Sequence, residues 1–194
     1  MSNTEKSLAK SFVIFVLLVG IGVCVTLVRQ PRSSSIVKAV SVASAVAAEI
    51  SVYSSTSDKK LTLRTTQRPD GTTQYIYSIA GRVLFDKTLP AGASMGLPVN
   101  SWDPTDTYVC LEEHNSGAVD YVVMKADGTP FADGNPFIDV GAVWANKDIG
   151  YTIRTATGWA SGTLLIIYTS NSDGSRGPAF WFEIPSTAII QLAS

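Results

Sequence analysis

Residues 101–131 read SWDPTDTYVCLEEHNSGAVDYVVMKADGTPF, and this stretch decides the fold. Aromatic, β-branched and other apolar residues gather in Tyr108-Val109-Cys110-Leu111-Glu112 and again in Asp120-Tyr121-Val122-Val123-Met124. Between them Asn115-Ser116-Gly117 supplies polar turn residues and a glycine for the positive φ that a tight reversal requires. The pattern predicts a β-hairpin. The same unit occurs twice more. Leu61-Thr62-Leu63-Arg64-Thr65 turns through Pro69-Asp70-Gly71 into Gln74-Tyr75-Ile76-Tyr77-Ser78-Ile79. Leu164-Leu165-Ile166-Ile167-Tyr168 turns through Ser172-Asp173-Gly174 into Ala179-Phe180-Trp181-Phe182-Glu183-Ile184. Three hairpins with turn glycines 46 and 57 residues apart predict an all-β domain of antiparallel sheets.

Tryptophan introduces two of the hairpins, in Ser101-Trp102-Asp103-Pro104-Thr105-Asp106 and in Gly158-Trp159-Ala160-Ser161-Gly162-Thr163. The second strand of the central unit ends in the small turn Lys125-Ala126-Asp127-Gly128-Thr129-Pro130. The string 101–131 resembles the blade repeat of TolB-like (WD40-like) β-propellers, in which a Trp-Ser-Pro-Asp-Gly opening precedes a strand, a hairpin and a second strand ending at Asp-Gly. The likeness is fullest around Trp102. At Trp159 the proline and the acidic residues of the opening are missing, and the first unit has no opening. The resemblance implies sheets stacked as blades. Propellers of that kind usually close with four or more blades, and this chain holds material for two and a half to three. The architectures open to it are a partial propeller and a two-layer β-sandwich built from similar hairpins. At repeat positions Trp102 and Trp159 are expected to be packing residues.

Working outward, Phe12 to Val28 is a run of seventeen uncharged residues, FVIFVLLVGIGVCVTLV, bounded by Lys10 and by Arg29-Gln30-Pro31-Arg32. Its length and all-round hydrophobicity predict a transmembrane helix. No small-residue cleavage site follows closely. Ala43-Ser44-Ala45 and Ala45-Val46-Ala47 lie fifteen or more residues beyond Val28, past Arg29, Arg32 and Lys38. An uncleaved signal anchor is therefore expected. Lys6 and Lys10 nearly balance the basic residues on the far side, so the leader-like stretch 1–11 argues for a cytoplasmic N-terminus. The expected organisation is a leader over 1–11, a transmembrane helix over 12–28, a linker over 29–49 and an extracytoplasmic β domain over 50–194. The linker, rich in Ser, Ala and Val, fits either a short amphipathic helix or an extended stalk. As a whole chain the sequence also resembles single-pass membrane-anchored proteins of candidate-phylum bacteria, a likeness that brings no activity with it.

Charge narrows the function classes. Of 15 Lys/Arg and 16 Asp/Glu, five and two fall in residues 1–49, which leaves the β domain acidic. No basic stripe is present to bind nucleic acid. With one histidine and two cysteines, and with Cys24 inside the apolar run, most metal and nucleophile chemistries lack their parts. Gly92-Ala93-Ser94-Met95-Gly96 fits the G-x-S-x-G pattern of a nucleophile elbow, but Leu97-Pro98 forbids the helix that must follow and His114 is only twenty residues on. A lone His114 beside a hairpin turn lacks a second imidazole for a metal, and the Asp-Gly pairs read as turn chemistry before calcium ligation. No cofactor and no metal site is expected.

The expected function is a non-enzymatic, membrane-tethered module that binds a partner protein or an envelope component. The alternative is a structural subunit of a surface assembly completed by homo-oligomerisation, and a third reading is a serine hydrolase using Ser94. Since alternation commits strand interiors to the core, recognition groups are sought in the connections Asp127–Asn135 and Trp144–Tyr151. The candidate binding residues are Phe131, Asp133, Trp144 and Asn146, and a binding role requires the two connections to share one face of the domain.

Overall fold

Alternation along the strands sets the architecture. The computed structural model describes residues 47–193. In the first sheet β1 (Ala47–Tyr53), β2 (Lys60–Gln67), β3 (Thr73–Ile79) and β4 (Arg82–Leu89) follow one another in chain order. The second contains β5 (Ala93–Gly96), β6 (Tyr108–Asn115), β7 (Ala118–Lys125) and β8 (Phe137–Asp139), again in order. A seven-residue helix, α1 (Val140–Asn146), leads to the third sheet of β9 (Thr152–Ser161), β10 (Leu164–Ser170), β11 (Arg176–Glu183) and β12 (Ala188–Gln191). Every pairing between these strands is antiparallel. The all-β reading and its three hairpins, β2–β3, β6–β7 and β10–β11, are present. The transmembrane helix expected over residues 12–28 lies outside the described residues, among which no helix is long and apolar enough to cross a membrane.

The sheets stack face to face with the second in the middle. Val109 and Leu111 of β6, with Val122 and Met124 of β7, share a core with Leu61, Leu63, Tyr75, Tyr77 and Phe85 of the first sheet. Their alternate neighbours Tyr108, Cys110, Tyr121 and Val123 share another with Leu165, Ile167, Phe180 and Phe182 of the third. Burial on both faces explains why β6 and β7 read as nearly continuous apolar runs, whereas in the outer sheets burial alternates along the strand, as in β10. Cys110 is buried, and burial pushes its thiol pKa well up, so it packs as a small apolar side chain.

Turn chemistry fixes the hairpin registers. Ser116 (φ 46°) and Gly117 (φ 91°) form a two-residue turn between the paired Asn115 and Ala118, a turn in which both central residues need positive φ. The Asp-Gly pairs share another device. Asp70, Asp127, Asp133 and Asp173 each accept a hydrogen bond on the side-chain carboxylate from the backbone N–H two residues on, at 2.9–3.0 Å. These carboxylates serve their own turns.

The two tryptophan openings are structurally equivalent. Trp102 bridges Val109, the second residue of β6, and Trp159 pairs with Leu165, the second residue of β10. Each indole N–H reaches back to a backbone carbonyl, Trp102 to Val52 of the first sheet at 3.3 Å and Trp159 to Asn100 at 3.1 Å. The openings thus staple successive sheets together. Trp102 is 7 % exposed; Trp159 is only partly buried, stacked over Tyr108 at 6.3 Å.

Sequence patterning did not reveal everything. Ala47–Glu49, in the stretch read as linker, pair with Arg64–Thr66 as the start of β1. The short strands β5, β8 and β12 carry too little periodicity to be read from sequence, and the seven-residue helix α1 and the longer strands β4 and β9 were not assigned either. Helix α1 forms because Asp139 caps it, accepting the Ala142 N–H at 2.8 Å.

Candidate functional site

A concavity of about 1010 Å³ opens between the second and third sheets at the β6–β7 turn. Three elements build it. The end of β6 and the start of β7 bring Glu112, His114 and Asp120; α1 brings Trp144; and the Thr152–Thr155 stretch of β9 forms the opposite wall with Arg154. Strand β9 is the edge of its sheet, so its backbone has a side without a strand partner. Tyr121, 1 % exposed, lies in the floor, and burial raises the pKa of its hydroxyl against the Thr155 side chain and the Ala156 backbone, which pull it down. Trp144 packs edge-on to Phe180 at 5.1 Å, and its indole N–H donates to the Tyr151 carbonyl at 2.7 Å, which fixes the helix against the third sheet.

Asp120 is the electrostatically unusual group. Burial, reinforced by the neighbouring Asp139 carboxylate, raises its pKa to about 6 against the backbone N–H groups of Tyr121 and Gly141 that pull it down. The Tyr121 N–H donates to it at 2.6 Å. A Cβ at position 141 would overlap the Asp120 carboxyl group, so any residue other than glycine there requires that carboxyl group to move. A carboxyl group with a raised pKa in a cleft makes Asp120 a candidate functional group.

Asp120 also gives the pH dependence a definite sign. Its folded pKa lies above the unfolded value of 3.8, so its contribution favours the fold when protonated and is lost as pH rises from about 4 through about 6. Asp70, Asp127, Asp133 and Asp173, whose turn hydrogen bonds lower their pKa values, act oppositely and lose stability as pH falls. Asp120→Asn is therefore expected to gain stability relative to the parent between pH 4 and pH 7, read as the difference in urea midpoints at the two pH values. A difference unchanged by pH contradicts the assignment.

The four residues selected from sequence are not brought together. Phe131 is buried, stacked on Tyr108 at 6.2 Å with the Lys125 ammonium 5.4 Å from its ring centroid. Asp133 is exposed beside it, bonded to Asn135. Trp144 lines the groove, while Asn146 is exposed at the last turn of α1. Tyr108 and Lys125 pair at one end of the β6–β7 hairpin and the groove opens at the other, so Phe131 and Trp144 occupy opposite ends of the second sheet. Asp120 and Arg154 escaped notice because each reads as an ordinary polar strand residue. The half-buried Asp120 carboxyl group lies against a glycine twenty-one positions away.

Ser94 sits on β5 directly opposite His114 of β6, and His114 Nε2 lies 3.4 Å from Glu112 Oε1. Serine, imidazole and carboxylate therefore share one patch. The other parts of a nucleophile elbow are missing among the described residues: Ser94 lies within strand β5, no helix follows it directly, and no hydrogen bond joins it to the imidazole. No protein-family model matches the chain, and neither does any curated protein or solved structure.

Proposed function

We propose that this chain is a membrane-tethered, extracytoplasmic β module that binds a partner protein or envelope component in the groove between its second and third sheets, without catalysis. The observation that carries the reading is the groove, where the edge strand β9 runs alongside Asp120, Arg154 and Trp144. An extended polypeptide segment fits these surroundings: an edge strand offers main-chain hydrogen bonds, and charged groups of both signs select its side chains. The tether rests on the apolar run Phe12–Val28 and its basic flanks. For the architecture, three stacked four-stranded meanders and two equivalent tryptophan openings support blade-like repeats of the TolB kind over a two-layer sandwich.

Two measurements test the reading. Protease added outside intact cells or spheroplasts is expected to digest the β domain, and full protection reverses the topology. Recovery of the partner from envelope extracts with the full chain is expected to fall roughly tenfold or more for Arg154→Ala, on the scale of a charged contact at the heart of an interface. Phe131→Ala, Asp133→Ala and Asn146→Ala test the positions chosen from sequence, and a loss confined to them places the site elsewhere. If the Ser94–His114 patch hydrolysed esters, Ser94→Ala would abolish that activity; the expected result is no esterase activity above background in either protein.

A further inference from the structure

The two outer faces of the stack differ in character. On the first sheet, Thr62, Arg64 and Thr66 alternate with buried Leu61 and Leu63, and Gln74 donates to the Asp86 carboxylate at 2.9 Å. That face is polar. On the third sheet, Leu165, Ile167, Phe180 and Phe182 point into the core, so alternation turns Leu164, Ile166, Tyr168, Ala179 and Trp181 the other way, joined by Ile190 at 44 % exposure. In register, Ile166, Trp181 and Ile190 form one apolar row across β10, β11 and β12, with Tyr168 and Ala179 in the next. A contiguous apolar sheet face of this kind is an interaction surface.

We propose that this face is a two-fold interface between two copies of the chain, with β11 lying antiparallel over the partner's β11. The charge pattern selects a second copy. Strand β11 begins at Arg176, whose guanidinium lies over the Tyr168 ring at 5.7 Å, and ends at Glu183, with the apolar rows between. A two-fold axis in the interface plane, crossing the strands near Ala179, brings Arg176 level with Glu183 of the partner subunit at both ends of the patch. The same axis sets Trp181 against Ala179 of the partner subunit, large on small, as two packed sheet faces need. A head-to-tail stack would press the charged Arg64 and Asp86 of the first sheet's outer face onto the third sheet's apolar rows, a desolvation cost that the isologous pair avoids. An isologous pair closes on itself and leaves no apolar face open.

The test uses the full chain in detergent, with the protein mass measured by light scattering over a concentration series. The expected result is a dimer whose dissociation constant rises roughly thirtyfold or more in Trp181→Asp, the scale of losing a central aromatic anchor. R176E places two like-charged pairs at the interface and is expected to weaken the dimer, whereas the R176E/E183R double variant restores it relative to E183R alone. That comparison controls for the Ser186 turn, which Glu183 holds through the Ser186 N–H at 2.8 Å and which both E183R proteins lose. Circular dichroism establishes that each variant is folded. A monomeric parent at all concentrations overturns the proposal, as does a dimer indifferent to Trp181→Asp, or a charge reversal that fails to restore. Loss of vesicle binding in Trp181→Asp with oligomeric state unchanged overturns it in favour of a bilayer surface.

Discussion

Replacing Trp102 by alanine is expected to lower stability by about 3–5 kcal/mol, a large share of the roughly 5–15 kcal/mol available to a domain of this size. The side chain is 7 % exposed and fills the core between the first and second sheets, and its indole N–H donates to Val52 at 3.3 Å. Alanine leaves a cavity where two layers meet and strands the Val52 carbonyl. Trp102→Phe keeps most of the packing and loses the hydrogen bond, with an expected cost of about 1–2 kcal/mol. Trp159→Ala at the equivalent position is expected to cost less, about 2 kcal/mol, because that side chain is only partly buried. Urea denaturation of the three variants checks the order. Equal losses at the two tryptophans would show that burial does not rank them.

Asp103→Ala is the second large effect, expected at roughly 3 kcal/mol. Asp103 is 1 % exposed, and its carboxylate accepts the backbone N–H groups of Thr105 at 2.9 Å, Thr107 at 2.7 Å and Tyr108 at 2.6 Å. These bonds tie the residue after Trp102 to the first residue of β6, so the opening acts as a clamp that starts the strand. Asp103→Asn keeps an oxygen for Thr107 and Tyr108 but presents an amide that cannot accept from Thr105, for a loss of about 1 kcal/mol. A full-sized loss in the asparagine variant would mean that charge, and not acceptor geometry, holds the turn.

The same residues show how far sequence reading reaches. Period-two patterning and Gly-containing turns located β2–β3, β6–β7 and β10–β11, because those signals are local to the chain. The tryptophan openings were legible as a repeat because a turn glycine, Gly117 or Gly174, lies fifteen residues after each tryptophan, and each tryptophan pairs with the second residue of the strand behind it. The groove was not legible. It is assembled from β7, α1 and β9, and it depends on contacts such as Gly141 against Asp120 that no local pattern encodes. Phe131 and Trp144 stood out as aromatic residues in connections, yet both connections fold back onto the sheets and bury their rings. The apolar outer face of the third sheet was hidden for the opposite reason. A strand such as Leu164–Tyr168 reads alike whether its second face meets protein or water.

The central claim is that recognition occurs in the groove, and site-specific photo-crosslinking in living cells tests it most directly. A photoreactive amino acid placed at Arg154 in the full-length, membrane-bound chain is expected to give one dominant adduct with a partner other than a second copy. The same probe at Arg64 on the polar outer face of the first sheet is expected to give none. Adducts at Arg64 but not at Arg154, or none at either position from a correctly inserted protein, would contradict the account.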